Sequence, residues 1–112
     1  MTDQESQRLS EARILIVDDD RDVLAVLDNA VRAEGAVTKT CGDGNSAVEM
    51  IENDKPDLVI LDMMLPKRSG FLVLERMKEI EHKPQVIMVT ANEGKRHQAY
   101  AESLGVYGYL HK

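Results

Sequence analysis

Cysteine, proline and aromatic residues are all scarce in this sequence. Its 112 residues include one cysteine, three prolines, three tyrosines, one phenylalanine and no tryptophan. The lone Cys41 cannot form an internal disulfide, so the fold must rest on an apolar core, which a chain of this length can build. No apolar run approaches the ~20 residues that cross a bilayer, and the polar residues 1–12 lack the apolar centre of a secretory leader. We therefore expect one domain in a reducing, cytoplasmic setting, with no membrane span.

Basic charge is also in short supply, and it is unevenly placed. The chain has 20 acidic and 14 basic residues, for a net charge of -6. Residues 1–62 hold 15 of the acids and six of the bases, whereas residues 63–112 hold five acids and eight bases. An acidic chain without a basic run lacks the electrostatic footprint of a nucleic-acid-binding protein. The composition therefore argues against direct DNA or RNA binding and draws attention to a local acidic site in the first half.

What the sequence does contain is an alternation of two hydrophobic patterns. Continuous apolar or β-branched runs, typical of strands buried in a sheet, alternate with segments whose apolar residues recur at helical spacing. The predicted strands are Arg13–Asp18, Val37–Cys41, Asp57–Asp62, Gln85–Thr90 and a last one around Tyr107–Leu110. The predicted helices are Asp20–Glu34, a short segment carrying Ala47, Val48 and Ile51, the segment from Phe71 to Ile80, and Asn92–Leu104, with Tyr100 and Leu104 facing inward.

Strands separated by helical segments predict parallel pairing through right-handed crossovers. The expected fold is α/β, a doubly wound five-stranded parallel sheet with helices on both faces. It would occupy residues 13–112 and follow a polar tail of residues 1–12. Ligands of such sheets bind beyond the carboxyl ends of the strands, so the residues at those ends are the candidates for function.

Four of the predicted strands end in polar residues that suit one chemistry. In chain order these residues are Asp18, Asp19 and Asp20, then Asp62, Thr90 and Lys112. Clustered carboxylates raise one another's pKa unless a cation compensates, and Mg²⁺ favours such oxygen ligands. With an ammonium group opposite, the arrangement suits a phosphoryl group attacked by a carboxylate oxygen. Singly, each residue has a plainer explanation, such as the helix N-cap that we expect of Asp20.

Four stretches of the sequence resemble the receiver domain of two-component response regulators. They are ILIVDDD at residues 14–20, DLVILDMMLPKRSG at 57–70, VIMVTA at 86–91 and YGYLHK at 107–112. The resemblance covers nearly all of residues 13–112 and keeps the acidic pair, the acceptor, the Thr-Ala pair and the final lysine in family order. It implies a flavodoxin-like sheet with strand order 2-1-3-4-5.

The resemblance also implies a phosphoacceptor and a metal site. Asp62 would take a phosphoryl group from a phosphohistidine on a sensor histidine kinase or a histidine phosphotransfer protein. Asp18, Asp19, Asp62 and the backbone carbonyl of Met64 would hold Mg²⁺. Lys112 would pair with the phosphoryl oxygens. The stimulus and the output partner are not indicated.

A conformational switch is implied as well. Thr90 would move its hydroxyl onto the phosphoryl oxygens, and Tyr109 would turn inward as Thr90 moves. Met64 and Asn92 stand at positions that modulate attack by water in this family. Neither side chain can act as a general base, which predicts slow loss of the phosphoryl group.

Two other functions stay open on the residues alone. The Asp18-x-Asp20 pattern resembles the opening motif of haloacid-dehalogenase-type phosphatases, in which the first aspartate is the nucleophile. No later acidic pair follows at the place that such an enzyme needs. A receiver-like docking module that is never phosphorylated would share the same fold.

The helix count leaves one face of the sheet incomplete. The family's fold has five helices, whereas the sequence up to Lys112 predicts four. The fifth normally packs beside the first, so we expect uncovered apolar surface there. Such surface tends to recruit a partner, and we expect residues beyond Lys112 or a neighbouring chain to cover it.

Overall fold

The computed structural model describes residues 10–91 and 95–112. Five strands and four helices alternate within these residues. The strands are β1 (Arg13–Val17), β2 (Val37–Cys41), β3 (Leu58–Leu61), β4 (Gln85–Thr90) and β5 (Gly108–His111). The helices are α1 (Arg21–Ala33), α2 (Gly44–Asp54), α3 (Gly70–Met77) and α4 (Lys95–Ser103). None of these helices is long and apolar enough to cross a membrane.

The strands form one parallel sheet in the order β2-β1-β3-β4-β5. This confirms the predicted doubly wound, flavodoxin-like topology. The chain leaves β1 toward β2 on one side and later returns to β3 on the other, so the strand order reverses between β1 and β3. Such a reversal opens a crevice at the carboxyl ends of the two strands, where this fold class binds its ligands.

The two faces of the sheet are covered unequally. Side chains such as Leu15, Val17, Leu61 and Met88 form a buried core with α2, α3 and α4 on one face. On the other face, Ile14, Ile16 and Ile60 pack against α1 alone. Within the described residues, three helices lie on one side of the sheet and one on the other, so the fifth helix expected of this fold is not among them.

Helix α1 shows the effect of this imbalance. Asp20 caps its start by accepting hydrogen bonds from the N–H groups of Asp22 and Val23, as the sequence predicts, and Gly35 follows its end at a φ of 93°. Its apolar residues Leu24, Leu27 and Val31 face the sheet, yet none of its residues is fully buried. An amphipathic helix that buries so little draws little stability from packing.

The strands beside the missing helix are exposed as expected. Val89 on β4 is half-buried, and Leu110 on β5 keeps 56% of its surface exposed. On the opposite face of β4, Val86 and Met88 are buried. The uncovered face therefore consists of α1, the outward side of β4 and the edge strand β5.

Three details differ from the sequence predictions. Tyr100 is exposed and its neighbour Ala101 is the buried residue, because the short α4 packs its smallest side chain against the core. Helix α3 ends at Met77, since the next three residues hydrogen-bond to carbonyls three positions back and tighten the chain; Ile80 reaches the core from that turn. Strand β5 begins after Tyr107, and the predicted start of the last helix at Asn92 lies outside the described residues.

The unequal faces predict unequal costs for one substitution on β4. Val86→Ala removes a fully buried side chain and should lower the free energy of unfolding by about 2 kcal/mol. Val89→Ala, on the uncovered face, should cost about half as much or less, because its side chain is already partly in water. Urea denaturation of both variants measures the difference. Equal costs would show that the face is covered in solution.

Candidate functional site

Three charged side chains meet at the carboxyl edge of the sheet. Asp18 and Asp62 follow β1 and β3, and only 2% and 4% of their surface is exposed. Lys112 follows β5, and its Nζ lies 2.7 Å from Oδ2 of Asp18 and 3.4 Å from Oδ2 of Asp62. The lysine side chain reaches across the ends of β4 and β3, so one ammonium group bridges two buried carboxylates.

The sheet itself holds these residues in place. The N–H of Asp18 donates to the carbonyl of Cys41 at 3.1 Å, and that of Asp62 donates to Val17 at 2.9 Å. The N–H of Lys112 donates to the carbonyl of Thr90 at 2.8 Å. Each site residue thus continues the ladder for one position beyond its strand. The hydrogen bonds of the buried sheet therefore fix where the side chains of Asp18, Asp62 and Lys112 lie.

A third carboxylate completes an acidic cluster. Asp19 is exposed, and it can bring an oxygen within 4.8 Å of oxygens of Asp18 and Asp62. Its neighbour Asp20 is the cap of α1, and the N–H of Asp20 donates to Oδ1 of Asp18 at 2.9 Å. Of the three consecutive aspartates, two therefore face the cluster and the third starts the helix. Three carboxylate oxygens at one solvent-facing point fit a hard cation such as Mg²⁺.

Burial and neighbouring charges act in opposite directions on the titratable groups of the cluster. Burial, followed by the charge of Asp18, raises the pKa of Asp62, while Lys112 acts in the opposite direction without cancelling them. Partial burial alone would lower the pKa of Lys112, but its hydrogen bond to Asp18 and the charge of Asp62 raise it. The lysine is therefore firmly protonated, and the site still carries more negative charge than it neutralises. A second cation would relieve that excess.

The loop that follows Asp62 folds back against the backbone of Asp62, and the close approach requires glycine at position 70. A Cβ at Gly70 would lie 2.4 Å from the carbonyl oxygen of Asp62, and the N–H of Gly70 donates to the carbonyl of Met63 at 2.8 Å. The sequence pattern does not predict this contact with the backbone of Asp62, because it depends on how the loop between the two residues folds. Within the loop, the N–H of Met64 approaches Oδ1 of Asp62 at 3.4 Å, and the Met64 side chain is exposed to solvent.

The two residues of the expected switch lie on neighbouring strands. Thr90 is fully buried at the end of β4, between the strands that carry Asp62 and Lys112. Tyr109 on β5 is half-buried, with its ring edge-on to His111 at a centroid distance of 5.6 Å. Its hydroxyl is buried without a hydrogen-bond partner among the described residues, and burial raises the pKa of the phenol. Asn92 lies outside the described residues.

Comparison with known families decides what kind of domain this is. The sequence model described as the response regulator receiver domain matches residues 14–112. The chain belongs to this family. Receiver domains are signalling domains of two-component systems, so the resemblance found in the sequence is confirmed.

Individual relatives agree with this assignment. The alkaline phosphatase synthesis transcriptional regulatory protein PhoP of Bacillus subtilis (strain 168) is 31% identical over 100 residues, which are 89% of this chain and 42% of PhoP. The chain thus spans less than half of that relative. A CheY-like receiver domain from Methanospirillum hungatei JF-1 superposes with a TM-score of 0.85 at 28% identity, covering 92% of this chain and 82% of the other.

One solved relative bears on the acidic cluster. The receiver domain of sensor histidine kinase PA1611 from Pseudomonas aeruginosa PAO1 has a TM-score of 0.83 and 25% identity, over 92% of this chain and 86% of that one. Its structure holds a magnesium ion coordinated in the active-site cleft. In this receiver domain, the Asp18, Asp19 and Asp62 cluster is a possible site for the same ion.

The raised pKa of Asp62 leads to a stability prediction. A carboxyl whose pKa is raised by folding opposes folding when it ionises, so wild-type stability falls as the pH rises through that pKa. Asp62→Asn removes the charge and should raise the unfolding temperature of the metal-free protein at pH 7 by about 4 °C, equivalent to roughly 1 kcal/mol in a domain of this size. The gain should vanish below about pH 4, where both forms are neutral. Thermal unfolding across pH measures it.

Asp43 provides a control, because its substitution should change stability in the opposite direction. Hydrogen bonds from the N–H and hydroxyl of Ser46 lower the pKa of Asp43, which caps α2. Asp43→Asn should therefore reduce stability at pH 7, and its effect should shrink as the pH falls through the lowered pKa of Asp43. A loss of stability in Asp62→Asn at pH 7 would contradict the conclusion that the negative charge of Asp62 opposes folding.

Proposed function

We propose that this receiver domain accepts a phosphoryl group on Asp62 from a phosphohistidine of a sensor histidine kinase or histidine phosphotransfer protein. The observation that carries the proposal is the bridging of two buried carboxylates by Lys112, with Asp19 beside them. A structural salt bridge needs one acid and one base, whereas this site gathers three acids around one base. The two surplus acids are accounted for if a divalent cation binds them and a phosphoryl group then binds beside that cation and Lys112.

The chemistry follows from the positions of the groups. An oxygen of Asp62 attacks the phosphorus atom, the bond from phosphorus to the imidazole nitrogen breaks, and the imidazole leaves with that electron pair. Lys112 already lies 3.4 Å from Asp62, where its ammonium can neutralise charge on the phosphoryl oxygens. Because the nucleophile is an ionised carboxylate at neutral pH, no general base is needed.

Asp18, Asp19 and Asp62, with the backbone carbonyl of Met64, would hold Mg²⁺. The three carboxylates fit this ion because they present oxygen ligands on one side and leave the solvent side open. When bound, Mg²⁺ supplies Lewis-acid neutralisation of the phosphoryl charge. Asp18 meanwhile keeps its contact with Lys112, which ties the metal side of the site to the lysine side.

Phosphorylation would be read out through Thr90 and Tyr109. A new dianion beside β4 offers the Thr90 hydroxyl strong acceptors, which favours the arrangement in which Thr90 turns toward it. That movement alters the space beside β5, where the buried hydroxyl of Tyr109 has no partner among the described residues. The two arrangements pre-exist, and phosphorylation shifts their populations.

The wider setting is also a proposal. The domain would act in the cytoplasm and signal through an output partner that the chain does not specify, without direct contact to nucleic acid or membrane. Residues 1–12 would form a tail preceding the receiver domain, which begins at Arg13. The uncovered face of α1, β4 and β5 would be covered by a segment after Lys112 or by a neighbouring chain.

Phosphorylation of Asp62 can be tested directly. Incubation with Mg²⁺ and acetyl phosphate should add one phosphoryl group to the intact protein, as measured by mass spectrometry, and Asp62→Asn should abolish the adduct. Asp19→Asn should raise the Mg²⁺ concentration needed for half-maximal phosphorylation by about tenfold or more, because one ligand of the ion is lost. Asp22→Asn, in the first turn of α1, serves as the matched control and should behave as wild type.

The same experiment separates the alternatives. An Asp62 that is inert to both acetyl phosphate and beryllofluoride would favour an unphosphorylated docking module. Turnover of a phosphate ester that is lost in Asp18→Asn and retained in Asp62→Asn would favour the phosphatase. Either result would overturn the proposed function.

The exposed Met64 predicts a long-lived phosphorylated state. Its thioether cannot accept a proton from an attacking water molecule, so isolated phosphorylated protein should lose its phosphoryl group slowly in the presence of Mg²⁺. Met64→Glu places a carboxylate, which can accept that proton, two residues after Asp62 and should speed the loss several-fold. Met64→Leu controls for the change of side-chain shape. Rapid loss from the wild type would contradict the prediction.

A further inference from the structure

The turn between β2 and α2, residues 42–45, lies beside both segments that carry the acidic cluster. The carbonyl of Cys41, at the end of β2, accepts the N–H of Asp18, and a Cβ at Gly42 would lie 3.7 Å from the carbonyl oxygen of Asp18. Two residues later, Gly44 contacts the loop of residues 62–70. What we call the 42–45 turn therefore borders the Asp18 segment on one side and the 62–70 loop on the other.

The contact at Gly44 is made by backbone on backbone. Gly44 is the first residue of α2 and is buried. A Cβ there would overlap the carbonyl group of Arg68 and lie 2.6 Å from the Cβ of Arg68, closer than non-bonded carbon atoms approach. The N–H of Gly44 also donates to the carbonyl of Pro66 at 3.3 Å. Helices disfavour glycine relative to alanine, and this close approach gives a physical reason for glycine at position 44.

Side chains add to the same contact. The Nε of Arg68 donates to Oδ1 of Asn45 at 3.1 Å. Hydrogen bonds from Ser46 are the main cause that lowers the pKa of Asp43, and the positive charge of Lys67 lowers it further, so that charge acts on the turn. The 62–70 loop is thus held against the 42–45 turn by packing, hydrogen bonds and charge together.

Lys67 shows that the loop is held in a strained form. Its φ is 66°, a left-handed value that residues with a side chain seldom adopt. The N–H of Arg68 donates to the carbonyl of Pro66 at 2.7 Å, which closes a three-residue turn around Lys67. Such strained turns persist only where surrounding contacts stabilise them. The carbonyl of Pro66 is also the one that accepts from Gly44, so the 42–45 turn supplies one of these contacts.

The loop has little freedom to absorb a displacement. At its base, the N–H of Gly70 donates to the carbonyl of Met63 at 2.8 Å. Residues 64–69 therefore form a short closed segment between this base and the 42–45 turn. A shift of Arg68 away from the turn moves other residues of that segment, and Met64 is the first of them. The position of the Met64 backbone thus depends on Gly44 through the loop.

We propose that the 42–45 turn positions the metal site, with Gly44 and Asn45 as positioning residues. They hold the 62–70 loop and with it the backbone of Met64, whose carbonyl the proposed function assigns to Mg²⁺. This inference rests on that proposed function. Neither Gly44 nor Asn45 is a ligand of the ion, because each acts through Arg68 and the loop backbone.

Magnesium binding measured by NMR tests this role. Backbone amide shifts of the ¹⁵N-labelled protein, titrated with MgCl₂ alone, give the dissociation constant of the ion. Gly44→Ala should raise this constant about tenfold, because the added methyl group displaces the loop. In the metal-free protein, the same variant should change the amide shifts of Met63 and Met64. Gly42→Ala should leave the constant and these shifts unchanged, since its Cβ makes only ordinary van der Waals contacts.

Three further variants separate positioning from a loss of stability. Gly105→Ala places a side chain at a φ of 91° with nothing within 4 Å of it, so it should lower the unfolding temperature and leave the dissociation constant unchanged. Asn45→Ala removes the hydrogen bond from Arg68 and should raise the constant about threefold. Asn45→Asp keeps an acceptor oxygen and should not weaken binding. The Asn45 variants decide the question if Gly44→Ala does not fold.

Three results would overturn the proposal: unchanged shifts of Met63 and Met64 in Gly44→Ala, an unchanged dissociation constant in that variant, or a constant raised equally by Gly105→Ala. Normal phosphorylation of the wild type alongside any of them would leave the proposed function intact. A wild type that binds no Mg²⁺ would instead overturn the proposed function. The metal-free shifts of Gly44→Ala would then still decide whether the turn positions the loop.

Discussion

The structure depends on a shared ammonium group between two buried carboxylates. Two like charges out of water repel each other and lose their hydration, and the ammonium of Lys112 offsets part of that cost by contacting both Asp18 and Asp62. The lysine arrives from the last strand of the sheet, whereas the two acids come from its centre. The ammonium therefore reaches both carboxylates only after every strand between them has paired. Assembly of the sheet and assembly of the site are one event.

The loop from Asp62 to Gly70 obeys a second, steric constraint. Gly70 lies against the carbonyl of Asp62, and Gly44 lies against Arg68, so the loop is held at both ends by positions that exclude a side chain. Between these anchors, the Met64 side chain projects into solvent and the Asp62 carboxylate stays buried. A fixed loop backbone with an exposed tip holds the Asp62 carboxylate in place at the edge of the sheet.

Much of this architecture is predictable from the sequence, for physical reasons. The bounds of β2 and β4 match the predicted strands, because β-branched and apolar runs bounded by turns have few alternatives. Asp20 is predictable as a helix cap because aspartate is favoured at that position. The gathering of Asp18, Asp19, Asp62 and Lys112 is predictable because the carboxyl ends of parallel strands meet at one edge. The exact strand order rested on the family resemblance. Periodicity does not decide whether Tyr100 or Ala101 of a short helix turns inward. The contact of Gly44 with Arg68 joins segments 24 residues apart, and that of Gly70 with Asp62 depends on the fold of the loop between them.

The absence of buried residues in α1 bears on the site through local stability. Regions with few buried contacts open individually, at a lower free energy than the whole domain. Helix α1 is such a region, and its cap, Asp20, is bonded through its N–H to Asp18. Each local opening of the helix would also loosen the aspartates that precede it. The amide hydrogens of α1 should then exchange with solvent faster than those of α2. A segment or partner that covers the open face would make these openings rarer and so stabilise the acidic cluster without contacting it.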